Sequence, residues 1–175
     1  MPPYSDYCSG VSQRHWSGKH AAAAGLCAAS LALVGTGVAA AQKPAIAGRD
    51  ALTGKRVSLA QFRGKPVFVN VWGSWCEGCN AEAPVLSRFA HSHARQVTFL
   101  GIDTIDSKPG ALRFYKRFDL EYPSIWDPRG LIAGAWSRGA PTTLVFDRRH
   151  RLVQRIEGSA TLKQLNAALR RVTRT

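Results

Sequence analysis

Cys76 and Cys79, set three residues apart in the run Trp72-Gly73-Ser74-Trp75-Cys76-Glu77-Gly78-Cys79, are the residues whose type and spacing point most directly to chemistry. At the N-terminus of a helix, the first sulfur of such a pair lies over backbone N–H groups with no intrahelical partner, and the helix dipole there favours a thiolate. Cys76 is therefore the expected nucleophile. Cys79, one turn on, lies on the same side of the helix, so it can resolve a mixed disulfide formed at Cys76. The pair then works as a redox-active disulfide that needs no bound cofactor, and no metal is assigned. Other uses of the same spacing stay open. Half a zinc site would need two more ligands, for which His91 and His93 are the local candidates. Copper(I) suits two thiolates and would make the chain a chaperone-like binding module. An inert disulfide would close too short a loop to remove much unfolded-state entropy. A peroxidase would need a Thr-x-x-Cys context that the chain lacks.

The cysteines need a strand to deliver them and a helix to carry them. Pro66 to Trp72 is β-branched and aromatic over the length of a buried strand. Gly73-Ser74-Trp75 then reads as a strand-to-helix turn, with Ser74 as its candidate cap; Trp72 is expected in the core and Trp75 on the apolar surface around the nucleophile. The helix expected from about Cys76 to His91 has Val85, Leu86 and Phe89 as its stripe, and Pro84 inside it predicts a kink. Gln96 to Asp103 reads as a second buried strand, completing a βαβ unit with parallel strands. Asp103, at that strand's end, is a weaker candidate for facing the site, and His91 and His93 read as solvent-facing.

Lys108 to Phe118 reads as a second helix, capped by Ser107, with Pro109 in its first turn and Leu112, Tyr115 and Phe118 at helical spacing. A loop with Pro123 and Pro128 leads to a short helical stretch near Gly130 to Trp136. Thr143 to Phe146 and Leu152 to Ile156 flank Asp147-Arg148-Arg149-His150-Arg151 as a hairpin. Thr161 to Val172 closes the chain as an amphipathic helix through Leu162, Leu165, Ala168, Leu169 and Val172. Upstream, Pro44 to Gly64 is turn-rich, with a strand-like piece at Arg56 to Leu59. The expected fold class is α/β: a mixed β-sheet (βαβ plus ββα) with helices on both faces and a short N-terminal extension.

The first forty residues have a different character. Ala21 to Ala41 carries no charge, follows Arg14, His15, Lys19 and His20, and ends in Ala39-Ala40-Ala41, the small-residue pattern of a cleavage site. Residues 1–41 are thus expected to be a signal peptide or an N-terminal membrane anchor, with residues 42–175 as the domain. Cys8 and Cys27 fall in the leader, which leaves Cys76 and Cys79 as the only cysteines of an exported, periplasmic or otherwise extracytoplasmic domain. A formal net charge of +13 suits a solvated basic surface or attraction to anionic lipid. In an exported protein it argues against nucleic acid as a partner.

Two stretches carry a family likeness. Val69-Asn70-Val71-Trp72-Gly73-Ser74-Trp75-Cys76-Glu77-Gly78-Cys79-Asn80-Ala81-Glu82-Ala83-Pro84 and Gly139-Ala140-Pro141-Thr142-Thr143-Leu144-Val145-Phe146-Asp147 resemble the TlpA/ResA/CcmG group of thioredoxin-fold thiol–disulfide oxidoreductases. The resemblance implies a thioredoxin-like fold and a cis Pro141 packed beside the active-site disulfide, with the Ala140 backbone facing substrate. It matches Pro84 to the kinking proline of the active-site helix, and Glu82 to an acid near the cysteines, whose two readings are a relay for the proton Cys79 must lose and an ordinary acid stabilising the first half of the helix. Trp75, Glu77, Gly78 and Ala140 are assigned to the substrate-contacting surface. Glu77-Gly78 departs from the Gly-Pro of thioredoxin itself, and an acid beside the nucleophile opposes the thiolate, which goes with a reducing couple. The resemblance implies protein disulfides as substrates, among them apocytochrome c and copper-site assembly proteins, and a membrane thiol carrier of the DsbD/CcdA type as electron donor.

Overall fold

Every position of strand β3 (Val67–Trp72) is buried, as its apolar, β-branched sequence demands. In the computed structural model, which describes residues 43–174, this strand is the centre of a five-stranded sheet ordered β5-β4-β3-β6-β7. Strand β4 (Thr98–Thr104) pairs with β3 in parallel, with Trp72 opposite Asp103, and completes the expected βαβ unit around helix α1 (Glu77–His93). On the other side, β6 (Thr142–Phe146) pairs with β3 antiparallel, placing Thr142 opposite Val71. β7 (Leu152–Glu157) then follows as the hairpin partner of β6.

Alternation along β3 divides the core in two. Phe68 and Trp72 belong to the cluster covered by α1, helix α2 (Lys108–Phe118) and helix α4 (Leu162–Thr173). Val67, Val69 and Val71 belong to the cluster covered by the short helix α3 (Leu131–Trp136) and by Ile46 and Val57 of the N-terminal segment. Helices therefore lie on both faces, and the fold class is the α/β mixed sheet expected. Trp72 sits in the first cluster, stacked on Phe114 at 4.4 Å between centroids, and its indole N–H donates to Ser124 Oγ at 2.8 Å.

The structure corrects several local expectations. The loop holding Pro123 and Pro128 contains strand β5 (Ser124–Asp127), parallel to β4. Four residues between two prolines carry too little periodicity to read as a strand; β5 forms because it lies at the sheet edge and is tied to the N-terminal segment. Ser124 N–H donates to Asp50 Oδ1 and Ala51 N–H to Ser124 O, at 2.9 and 2.7 Å. That segment is itself a hairpin, β1 (Ala47–Arg49) against β2 (Arg56–Ser58). Leu112 and Leu162 are about half exposed, so neither belongs to the inward face of its helix. Ser107 caps α2 by accepting from Gly110 N–H, and α4 begins on a Thr161–Gln164 capping box. The expected 1–41 leader, with Cys8 and Cys27, lies outside the described residues. Among the described residues no helix is long and apolar enough to cross a membrane.

Gly101 of β4 lies opposite Ser124 of β5 with no room for a side chain. A Cβ there would overlap Ser124 Oγ and stand 2.8 Å from Trp72 Nε1. Gly101→Ala should therefore break the Trp72–Ser124 hydrogen bond and cost about 1–3 kcal/mol of stability as an overpacked core. The shift of the urea midpoint at unchanged m-value measures it.

Candidate active site

The site lies where three chain segments reach the same end of the sheet. Cys76 follows the carboxyl end of β3, and the antiparallel pairing of β6 carries Ala140-Pro141, just ahead of Thr142, back to that end. Cys76 itself, rather than Ser74, is the N-cap of α1: its backbone is extended and its Sγ accepts from Cys79 N–H at 3.1 Å. Cys76 and Cys79 form a disulfide with their Cα atoms 5.2 Å apart. Cys76 is 5 % exposed and Cys79 1 %, so the first cysteine is the more accessible of the two. The position at the helix start supplies the unpaired N–H groups that stabilise a Cys76 thiolate once the bond is reduced.

Around the pair the assigned residues divide into three groups. The Ala140–Pro141 peptide is cis, and the Pro141 ring packs on Gly78, where an added Cβ would stand 3.2 Å from Pro141 Cγ and Cδ. Ser159, from the β7–α4 loop, donates its hydroxyl to Gly78 O at 3.0 Å. Ala140 is half-buried beside them, and Glu77 is exposed. Trp75 is 58 % exposed. Its indole lies over Gly73 and donates to Thr104 O at 3.2 Å, which fixes an apolar surface next to Cys76.

Glu82 lies beneath the disulfide's helix turn, 3 % exposed. Asn70 Nδ2 of β3 donates to Glu82 Oε1 at 2.9 Å, and Ala160 N–H to Oε2 at 2.5 Å. Burial pushes the Glu82 carboxyl up to about 6, against the opposing pull of those two hydrogen bonds. The group therefore changes protonation within the range where thiol–disulfide exchange runs. Asn70 carried a signal in the sequence as the one amide in an otherwise apolar strand.

Other parts of the arrangement have only faint sequence signals. Asp106, in the loop after β4, accepts from Ser74 N–H at 2.5 Å, Ser74 Oγ–H at 2.7 Å and Ser107 N–H at 2.6 Å. Asn80 Nδ2 donates to both Ser74 O and Cys76 O, at 3.1 and 2.9 Å. Together they hold the Gly73-Ser74-Trp75 turn. Ile105, beside Trp75's acceptor, is 63 % exposed and has φ +50°, a left-handed conformation that β-branched residues avoid. His91 and His93 stand at the far end of α1, away from the cysteines. His91 pairs with Glu121 at 2.7 Å, and His93 is not simply solvent-facing, because it packs on Phe89 at 4.4 Å between ring centroids.

A mixed sheet of this order, with a dithiol capping the helix after its central strand and a cis-proline loop against it, defines a thioredoxin-fold thiol–disulfide oxidoreductase. The chain belongs to the Redoxin family, whose model matches residues 39–169. It is 32 % identical over 124 residues to the thiol–disulfide oxidoreductase ResA of Bacillus cereus, covering 70 % of this chain and 72 % of that one. A secreted thiol-disulfide isomerase from Corynebacterium glutamicum superposes with a TM-score of 0.66 at 28 % identity, over 77 % of this chain and 86 % of that one. A DsbF homologue from Corynebacterium diphtheriae gives 0.65 at 30 %, over 73 % and 85 %. The protein is accordingly a thiol–disulfide oxidoreductase of the ResA type.

Glu82 generates a pH prediction whose sign is determined by its raised pKa. Folding favours its protonated form, so its contribution to stability is complete below about 4.5 and is lost as pH rises through about 6. The unfolding free energy of the wild type relative to Glu82→Gln should thus fall across that window and be flat on either side; denaturant titrations at stepped pH check it.

Proposed function

We propose that this chain is an exported reductase of protein disulfides. Cys76 thiolate attacks one sulfur of a client disulfide, forming a Cys76–client mixed disulfide and releasing the other client sulfur as thiolate. Cys79, having lost its proton, then attacks Cys76 Sγ; the client leaves as a dithiol and the Cys76–Cys79 disulfide forms. Glu82 takes the Cys79 proton, the Ala140 backbone ahead of Pro141 receives the client's chain, and Trp75, Glu77 and Gly78 line its path. The observation that carries this reading is the pairing of a helix-capping dithiol with one buried carboxylate held by Asn70 and Ala160.

The reductive direction rests on Glu77, an exposed acid beside the nucleophile, which opposes the thiolate and so makes the couple more reducing. Electrons would return from a membrane thiol carrier of the DsbD/CcdA type. Residues 1–41 would export the domain or anchor it facing the periplasm, and the family resemblance puts apocytochrome c or copper-site proteins among its clients. Surface charge supports work near a membrane. Among the described residues the acids Asp50, Glu82, Asp103, Asp127 and Asp147 are buried, whereas no Lys or Arg is. The accessible surface is thus more basic than the net charge alone implies, which suits anionic lipid headgroups.

Cys79→Ser should trap clients on Cys76 as mixed disulfides that non-reducing gels resolve and mass spectrometry identifies, and Cys76→Ser should trap none. Glu82→Gln should slow release of the reduced client severalfold and remove the inflection near pH 6 from the rate of the resolving step. A reduction potential as oxidising as the roughly −120 mV of DsbA would overturn the reductive direction. Tight anaerobic copper(I) binding without reduction of insulin would favour the chaperone-like module instead.

A further inference from the structure

Behind the Gly73-Ser74-Trp75 turn lies a second acidic centre that the exchange chemistry does not use. Asp103, at the end of β4, is fully buried, and no donor reaches either of its carboxylate oxygens. A buried carboxylate without donors is expensive, so the protonated acid is the form this environment accepts. Three residues on, Asp106 uses both its oxygens as acceptors, from Ser74 N–H, Ser74 Oγ–H and Ser107 N–H.

The approach of these groups is tight. A Cβ on Gly110 would overlap Ser74 Oγ and stand 2.8 Å from Asp106 Oδ1, so α2 can close on the turn only with glycine there. The groups acting on Asp103 hold no cation. Asp106 and Asp127 are both acids, and Asp127 is fixed by the Leu131, Ile132 and Ala133 N–H groups at 2.9–3.0 Å. Tyr115 of α2 also faces it, but its hydroxyl donates to Tyr122 O at 2.8 Å.

We propose that Asp103 and Asp106 form a one-proton pair that positions the nucleophile's turn: with a proton on Asp103, Asp106 holds Ser74, and when that proton leaves to solvent the second buried charge drives Asp106 off Ser74. Asp106 is the member free to move, because it is half-exposed on a loop whereas Asp103 is locked in the sheet. Loss of the Ser74 bonds unfastens the turn that carries Trp75 and Cys76. Burial first, then the charge of Asp106, a hydrogen bond to Asp106 that only the acid form makes, and Asp127 together raise the Asp103 carboxyl to about 8. Both acids are positioning residues, acting on Cys76 through Ser74 whichever way electrons flow.

The disulfide form separates this titration from those of the thiols and from any choice of client. In the oxidised wild type, the Ser74 and Trp75 amide resonances should shift together through a transition centred near pH 8, and Ser74 amide exchange beyond its intrinsic pH dependence should rise severalfold above it. Asp103→Asn, which keeps shape and cannot ionise, should abolish both effects. Asp106→Asn removes the repelling charge, so the Asp103 carboxyl, followed by its own ¹³C resonance, should titrate at lower pH, a test that stands even if Asp103→Asn does not fold. In the reduced protein, the rate with a small aromatic disulfide, corrected for thiolate fraction, should fall severalfold from pH 7 to 9 in the wild type and stay level in Asp103→Asn. A Ser74 resonance without the transition, the same transition in Asp103→Asn, or an Asp103 titration indifferent to Asp106→Asn would each overturn the pairing while leaving the Cys76–Cys79 chemistry intact.

Discussion

The rest of the site depends on one constraint: β3 is hydrogen-bonded on both edges, parallel to β4 and antiparallel to β6. The parallel partner requires a crossover helix, and that helix begins where β3 ends, so the cysteines cap it. The antiparallel partner starts at the same end, so the residues just before β6 return to the cysteines. A dithiol, a cis-proline loop and the loop after β4 therefore converge although the three come from segments far apart in sequence. Burial of all six β3 side chains makes the arrangement rigid, because a register slip by one residue would exchange the two core faces.

Electrostatics is the second organising feature. The chain is strongly basic, yet among the described residues five acids lie inside and every Lys and Arg lies outside. The internal acids differ in how they are satisfied. Asp127 receives three N–H groups of α3, and Asp50 receives Ser124 N–H and both polar groups of Thr53. Glu82 has one donor on each oxygen and is raised to about 6, while Asp103 has none and is raised to about 8. Glu82 is held lower than Asp103 because its two hydrogen bonds offset burial, whereas Asp103 has burial and the charge of Asp106 acting together. The two less satisfied of these acids are also the two that border α1 and the turn leading into it.

Much of this was legible in the amino-acid sequence. Cys76-x-x-Cys79 after an apolar strand specified a helix-capping dithiol, and the elements around it were bounded to within two residues, because β3, α1, β4 and α2 carry long, consistent patterns. The motif around Pro141, far downstream in the chain, identified its partner loop through family resemblance. Strand β5 and hairpin strand β1 were not legible, since each is too short to show periodicity and forms only by pairing, β5 with β4 and β1 with β2. Leu112 and Leu162 followed helical spacing but fall outside the packed stripe, whose width is set by neighbouring elements.

What the sequence determined by itself is the kind of chemistry: local spacing places one sulfur at a helix start and the other a turn later, and that geometry is covalent and short-range. What only the tertiary structure decided is the protonation landscape around that chemistry. Whether Glu82 finds Asn70 and Ala160, or Asp103 finds no donor at all and an acid beside it, depends on chains that meet across the sheet, and desolvation has no signature along a strand.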